Sequence, residues 1–461
     1  SIGDPQNHNV VLSNDQMEEL RNNLGVAKKD VWSKVAPKSS AGRLCSKISK
    51  QMDVNRQSIS VPERLEIPKD FGRKYAGNMS TQQIFGLVMT DISRNIPEVS
   101  RRVVTLSPDV ASSTNLGGWI NKVGVWTRTE KELLPDEDVI RALKWEESMR
   151  GQHIELGISE NNFFLTLGQL GLSLDMTGEL LFPIGTLYDP FIRRGLDAFV
   201  YSLYSGGKFI VIGTPSGVTL APEGGAHQSM VTPSLGVEIP ELAFYEPCFG
   251  QELEWILLDA LENIRTRTQS TYLRLTSQRV DQGIFKIPAD PKSREILRRQ
   301  VLNGAYLLED RRRELNYQSG VNVVNIMASG AMIPEAVKAS QKLIPEGVMA
   351  NVISITGPGP LYHEFQALVR SKVNGHVDKS EFMKDVIPWD DRKAPIVTVL
   401  DGHPHSLAWL GSALNTITLP LGVDRFGQSG SREDLYREYE IDESNIMEAC
   451  FSALEMGDTF D

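Results

Sequence analysis

A carboxylate closes the stretch Arg150-Gly-Gln-His-Ile-Glu-Leu-Gly-Ile-Ser-Glu160, where an apolar strand-like segment, Ile154 to Leu156, gives way to a helix-like run, Asn161 to Leu170. A histidine follows in Glu223-Gly-Gly-Ala-His-Gln228, again just past a strand-like segment, Phe209 to Thr214. A carboxylate at the C-terminal edge of a strand and beside a helix N-terminus sits where open α/β sheets bind ligands. The small residues Gly224, Gly225 and Ala226 let the histidine loop approach a ligand closely. A histidine so placed can donate to a carbonyl oxygen or shuttle a proton. Glu160 and His227 are therefore the first candidates for acid–base work.

The elements that must carry them alternate from about residue 75 onward. Short β-rich runs at Val103–Leu106, Ile154–Leu156, Leu180–Ile184, Phe209–Thr214, Leu242–Tyr245 and Thr271–Leu275 are separated by helical runs at Thr81–Ile96, Asn161–Leu170, Phe191–Leu203 and Gly250–Thr266. This is the pattern of βαβ units around a mostly parallel sheet. A second βα series has strands at Val321–Ala328, Val348–Ile355 and Ile396–Leu400, with helices at Pro334–Leu343 and His363–Arg370. Ser431 is placed to cap a final helix whose first turn is acidic. Residues 1–67 read as an irregular arm: a short helix over Asn14 to Leu24, capped by Asn14 or Asp15, then a polar, basic, extended segment from Lys28 to Arg64. The expected organisation is α/β, with an irregular arm at 1–67, one βα domain at 68–290 and a second at 291–461.

The 461 residues are enough for two or three cores, and a charged fraction of 23% is that of an ordinary globular protein. A net charge of −11 argues against a nucleic-acid binder and against attraction to anionic membranes. No apolar run approaches the roughly 18 residues of a membrane span. Cys45, Cys248 and Cys450 form no Cys-x-x-Cys pair and fit structural roles in a reducing compartment. The chain opens Ser1-Ile-Gly-Asp with no visible targeting segment, so it reads as processed, truncated or part of a longer polypeptide, of the cytoplasm or mitochondrial matrix. His153 reads as structural, His403 and His405 as turn residues, and Arg311-Arg-Arg313 as a solvated helix face.

The Gly157-Ile-Ser-Glu160 and Gly224-Gly-Ala-His-Gln228 pieces resemble the pyrimidine-binding domain of thiamine diphosphate enzymes of the transketolase and pyruvate dehydrogenase group. The stretch Ser107-Pro-Asp-Val-Ala-Ser-Ser-Thr-Asn115 resembles a strand end of transketolases. The ending Phe426-Gly-Gln-Ser-Gly-Ser-Arg-Glu-Asp-Leu435, with Ile441-Asp-Glu-Ser-Asn-Ile446, resembles the homodimeric bacterial pyruvate dehydrogenase first component, and the second βα series resembles the C-terminal domain shared by the group. The opening Gly3-Asp-Pro-Gln-Asn-His8 resembles a mobile active-site loop of that enzyme, whose histidine helps hand on the acyl group.

By this resemblance Glu160 is the acid against the pyrimidine nitrogen, and His227 and His8 are catalytic. Tyr188 and Phe191, in Gly185-Thr-Leu-Tyr-Asp-Pro-Phe191, are the faces on which the pyrimidine stacks. Asp109 and Gln228 complete the cofactor-binding set. One half of the family's apparatus is absent. No Gly-Asp-Gly, which with a later Asn holds the diphosphate through Mg²⁺, occurs in this chain, and in Gly3-Asp-Pro5 the proline removes a backbone donor. The resemblance thus implies thiamine diphosphate and Mg²⁺, with no metal ligand here. A diphosphate-binding domain is expected on another chain or on a missing N-terminal segment, in a homodimer or a heterotetramer. Three readings stay open: a 2-oxo acid dehydrogenase first component, acting on pyruvate and passing the acyl group to a lipoyl acyltransferase; a transketolase-like ketol transferase; and a non-catalytic assembly subunit.

Overall fold

The branched, apolar runs of the sequence become strands buried on both faces, as a sheet covered by helices on each side requires. A computed structural model of the chain describes residues 11–52, 65–129, 143–375 and 382–458, in two units, Ser1–Ile59 and Ser60–Asp461. The larger unit holds two main sheets. The strands of the first are β1 (Val103–Ser107), β2 (Val125–Trp126), β3 (Glu147–Ser148), β4 (His153–Glu155), β5 (Phe182–Leu187), β6 (Ile210–Gly213), β7 (Leu242–Tyr245) and β8 (Ser270–Arg274). They lie in the order β3-β2-β4-β1-β5-β6-β8-β7, with every neighbouring pair parallel. Every residue of β5, β6, β7 and β8 is buried.

Alternation along a strand sends successive side chains to opposite faces. Ile210 and Ile212 join a core with Ile84, Phe85, Val88 and Leu257, while Phe209 and Val211 join another with Phe163, Leu167 and Phe199. The helices α3 (Thr81–Asn95) and α6 (Gly250–Arg265) thus cover one face, and α4 (Glu160–Gly171) and α5 (Leu196–Tyr204) the other, the numbers α1 and α2 being kept for the smaller unit.

The second sheet comprises β9 (Ala305–Glu309), β10 (Val323–Ser329), β11 (Met349–Ile355), β12 (Ile396–Val399) and β13 (Thr418–Leu421), in the order β9-β11-β10-β12-β13. Only β9 runs antiparallel to its neighbour. Helices α7 (Ile333–Leu343) and α10 (Glu443–Asp458) pack on it, while α8 (Pro358–Val373) runs along β7 of the first sheet and α9 (Arg432–Glu438) lies against Val218–Glu223. Buried hydrogen bonds tie the two sheet regions together: the Tyr306 hydroxyl donates to Glu252 at 2.6 Å, and the Glu246 N–H to the Thr356 carbonyl at 2.8 Å.

The mostly parallel α/β architecture agrees with the sequence pattern. Four readings of the fold need correction. The smaller unit is less irregular than expected: after α1 (Asn14–Asn23), residues read as an extended arm contain a second helix, α2 (Ser40–Met52). Leu44, Ile48 and Met52 recur at helical spacing there, a signal masked by the basic, Ser-rich composition, and the Ser39 hydroxyl accepts from the Gly42 N–H at 3.0 Å. The cap of α1 is Ser13, reciprocated by Gln16, rather than Asn14 or Asp15. The helix expected over Phe191–Leu203 is split: a 3₁₀ segment, Asp189–Gly195, precedes α5, because Pro190 fixes its entry and Gly195 adopts a non-helical conformation. Ser431 caps α9 through the Asp434 N–H at 3.1 Å, but α10 follows it. The short β2 and β3, and the strands β9 and β13, are too short or too mixed to stand out in the sequence.

Candidate active site

The strands β4, β1, β5 and β6 are neighbours and parallel, so the loops after them meet along one sheet edge. Glu160 opens α4 just after β4, and it is buried. Tyr188 follows β5 directly, and Phe191 lies within the 3₁₀ segment. His227 ends a short 3₁₀ turn, Gly225–His227, in the loop that follows β6.

These side chains converge. The Tyr188 and Phe191 rings are nearly parallel, with an interplanar angle of 13° and centroids 6.1 Å apart. The His227 ring meets both edge-on, at 6.0 Å from Tyr188 and 5.4 Å from Phe191. Its Nδ1 is buried and has no hydrogen-bond partner among the described residues. Arg194 joins the group: its guanidinium lies 3.8 Å from the centroid of the Phe191 ring and donates to Glu160 Oε1 at 2.8 Å. Residues three apart on a 3₁₀ helix share one side, which is how Phe191 and Arg194 come together. That spacing is legible in the sequence.

Beneath the site lies a buried charge cluster that the sequence reading also missed. Asp189, between the two aromatic residues, is fully buried. Its carboxylate accepts from Ser229, Tyr272, Thr232 (2.5 Å) and Arg274 Nε (3.0 Å). Ser229 and Thr232 lie just beyond His227, so Asp189 clamps the aromatic segment to the histidine loop. Arg274, likewise fully buried, also pairs with Glu246 and donates to the main-chain carbonyls of Ser229 at 3.0 Å and Asp401 at 2.7 Å. Burial pushes the Glu246 carboxyl up to about 7 even with Arg274 beside it, and burial raises Asp401 as well. An arginine inside the apolar run Tyr272-Leu-Arg-Leu275 is itself a signal, because a guanidinium in a buried strand needs acidic partners.

The remaining candidates sit apart from this convergence. Gln228 is buried and turned into the protein, donating to the carbonyls of Ala221 at 3.2 Å and Gln428 at 2.9 Å. Asp109 is exposed beyond β1 with a left-handed backbone (φ 68°), and its N–H donates to Glu155 at 2.6 Å; none of the ring or ion-pair contacts above involves it. His8 lies outside the described residues. His153 is buried against Thr105, 3.0 Å away, and His403 and His405 face each other at the start of a helix. Arg311 corrects its reading: it is buried beyond β9, bonded to Ser340 and Asn351, and not on a helix face. Cys248 and Cys450 are buried, whereas Cys45 is exposed. Among the described residues, no group of three or more His, Cys, Asp or Glu is placed to hold a metal ion, and no helix is long and apolar enough to cross a membrane.

Comparison with known proteins places the chain in a family. The profile of the pyruvate dehydrogenase E1 component middle domain matches residues 68–281, and that of the transketolase-like TK C-terminal domain matches residues 304–442. The chain belongs to the thiamine diphosphate-dependent transketolase and pyruvate dehydrogenase family, and it matches that family's C-terminal half. It is 24% identical over 415 residues to the pyruvate dehydrogenase E1 component of Pseudomonas aeruginosa, covering 87% of this chain and 45% of the relative. It is 23% identical over 406 residues to that of Escherichia coli K12, covering 85% and 44%. The chain thus spans less than half the length of these relatives. Among solved structures, a Pichia stipitis transketolase superposes with a TM-score of 0.68 at 17% identity, over 96% of this chain and 59% of that one. A chain described as a split gene transketolase, inactive beta4 tetramer, has a TM-score of 0.52 at 17% identity, over 82% of this chain and 99% of that one.

Two outcomes follow from the buried cluster. Replacing Arg274 by Met strands the acids around it without their cation, and urea unfolding should show a loss of about 3–5 kcal/mol. Glu246 should make stability depend on pH. An acid whose folded-state pKa lies above its unfolded one binds more protons when folded, so the stability it contributes is full below the ordinary value of 4.5 and is lost as pH rises through about 7. Urea titrations of the parent and Glu246→Gln should therefore show the parent losing ground to the variant between about pH 5 and about pH 8. A constant difference would mean that Glu246 does not titrate there.

Proposed function

We propose that this chain is the pyrimidine-binding half of a thiamine diphosphate-dependent 2-oxo acid dehydrogenase first component acting on pyruvate. Residues 68–290 make the pyrimidine-binding domain and residues 291–461 the transketolase-like C-terminal domain. A half that binds the diphosphate and Mg²⁺ is supplied by another chain or another segment of a longer polypeptide. The reading is carried by one observation: a buried carboxylate, two nearly parallel aromatic rings and a histidine whose buried nitrogen is unpartnered among the described residues gather at a single sheet edge, the carboxylate joined to the rings through Arg194.

The fit to the pyrimidine has a chemical stand-in within the chain. The Arg194 guanidinium is planar and cationic, stacks on Phe191 and donates to Glu160. A protonated aminopyrimidine would make the same two contacts. Arg194 is half exposed, so it can leave that place without unfolding anything. Thiamine diphosphate, when bound, supplies the carbanion chemistry that releases CO₂ from a 2-oxo acid. Glu160 would hold a proton at the ring nitrogen, Tyr188 and Phe191 would orient the ring, and His227 would donate to the substrate carbonyl oxygen or carry its proton. Gln228 fixes the histidine loop from behind, and Asp109 would meet the cofactor at the edge of the site. His8 would assist the hand-over in which the acetyl group and a proton open a lipoyl disulfide to a thioester and a thiol.

The relatives named for pyruvate dehydrogenase favour pyruvate over sugar phosphates. The split gene transketolase chain, covered almost end to end, supports a chain of this extent acting as a separate subunit. The test is the Glu160→Gln variant assembled with its diphosphate-binding half, assayed with pyruvate and with xylulose 5-phosphate. We expect thiamine-dependent turnover of pyruvate by the parent and a loss of at least about a hundredfold in the variant. Turnover of xylulose 5-phosphate instead would assign ketol transfer. Undiminished activity of the variant would leave an assembly subunit whose partner does the chemistry.

A further inference from the structure

The loop that carries His227 does not rest on the first sheet alone. Its inner wall is the Asp189 and Arg274 cluster, and its outer wall belongs to the second sheet region. At the end of β12, Asp401 accepts from the N–H groups of Val218 (2.8 Å) and Thr219 (2.9 Å) and from the Thr219 hydroxyl. That hydroxyl lies 2.7 Å from the Tyr436 hydroxyl of α9, which in turn donates to Gln278 at 3.1 Å. All five residues are buried. Further along, Gln228 donates to the Gln428 carbonyl, and the Met230 carbonyl accepts from the His403 N–H at 2.8 Å.

Between these anchors, two glycines meet. A Cβ on Gly225 would overlap the carbonyl of Gly427, and a Cβ on Gly427 would overlap the Gln228 side chain. The Gly-Gly-Ala-His-Gln segment and the Phe426-Gly-Gln-Ser-Gly-Ser segment, which lie some 200 residues apart in sequence, are therefore pressed backbone against backbone, two residues from the His227 ring. Nothing in the first sheet supplies these contacts.

We infer that the C-terminal sheet region sets the position of His227, with Asp401, Tyr436 and Gly427 as positioning residues. This assigns that region a part in the site itself. It rests on the reading that His227 meets the substrate; its structural content does not depend on that reading. Any shift of the second sheet region relative to the first is transmitted to the histidine through Asp401 and Gly427. A displacement of about 1 Å at such a group costs up to about a hundredfold in rate.

The test uses the full chain labelled with ¹⁵N-histidine, free and assembled with its diphosphate-binding half. The His227 ring signals are assigned by their loss in His227→Gln. Gly427→Ala should shift those signals, leave those of His153 in place, and lower kcat about tenfold to a hundredfold with little change in KM for pyruvate. Gln428→Ala keeps the main-chain carbonyl and should change neither. Tyr436→Phe removes a single hydroxyl and should shift the His227 signals in the same direction by less; it decides the matter if Gly427→Ala does not fold. Folded Gly427→Ala and Tyr436→Phe variants with unmoved His227 signals would overturn the inference. Shifted signals in an enzyme that His227→Gln leaves fully active would uphold the positioning and remove His227 from the proposed chemistry.

Discussion

Arg274 is the residue on which the rest of this molecule depends. One fully buried guanidinium reaches Asp189, Glu246 and the main chain at Ser229 and Asp401. Those four partners belong to the aromatic segment, the end of β7, the histidine loop and the second sheet region. A buried cation is costly unless its geometry is nearly fully satisfied. Satisfying it fixes where four segments distant in sequence must lie. With Asp189 anchored, Tyr188 and Phe191 are held on either side of it; with Ser229 anchored, so is the His227 loop.

The cluster carries more acid than base. Asp189, Glu246 and Asp401 surround a single arginine, and one oxygen of Glu246 has no partner among the described residues. Burial answers by raising the Glu246 carboxyl toward neutrality, so the cluster can shed one charge near physiological pH. The candidate site above it has a different character. Glu160 is buried, but Arg194, Tyr188, Phe191 and His227 are partly open on this chain. Such a one-sided surface suits a site that a second body completes, and the proposed diphosphate-binding half would be that body.

Much of this was legible in the residues. The alternation of apolar and amphipathic runs specified two mostly parallel sheets because burial on both faces leaves a simple pattern. Glu160 and His227 stood out because each follows a strand, and parallel strands bring such loops together; Tyr188 and Phe191 came from the family resemblance. The structure brings Tyr188, Phe191 and His227 into contact, joins Glu160 to them through Arg194, and leaves Asp109 outside the group. What stayed hidden was pairwise and long-range. Asp189 and Arg274 are 85 residues apart, and Gln228 and Gln428 are 200 apart. A single sequence has no local pattern for such partners, beyond the rule that a charge in an apolar run must be answered somewhere. Helix α2 was missed for the opposite reason: a basic, serine-rich composition outweighed a three-residue apolar stripe that the periodicity did contain.

The proposed role gives this chain one half of a thiamine diphosphate site. Native mass spectrometry of the purified protein, with thiamine diphosphate and Mg²⁺ added, tests it most directly. The expected result is a complex in which this chain is joined to a polypeptide segment bearing Gly-Asp-Gly, with the cofactor retained only when both are present. A chain that stays alone and binds no cofactor in the presence of such a segment, or that retains the cofactor with no second half, would contradict it.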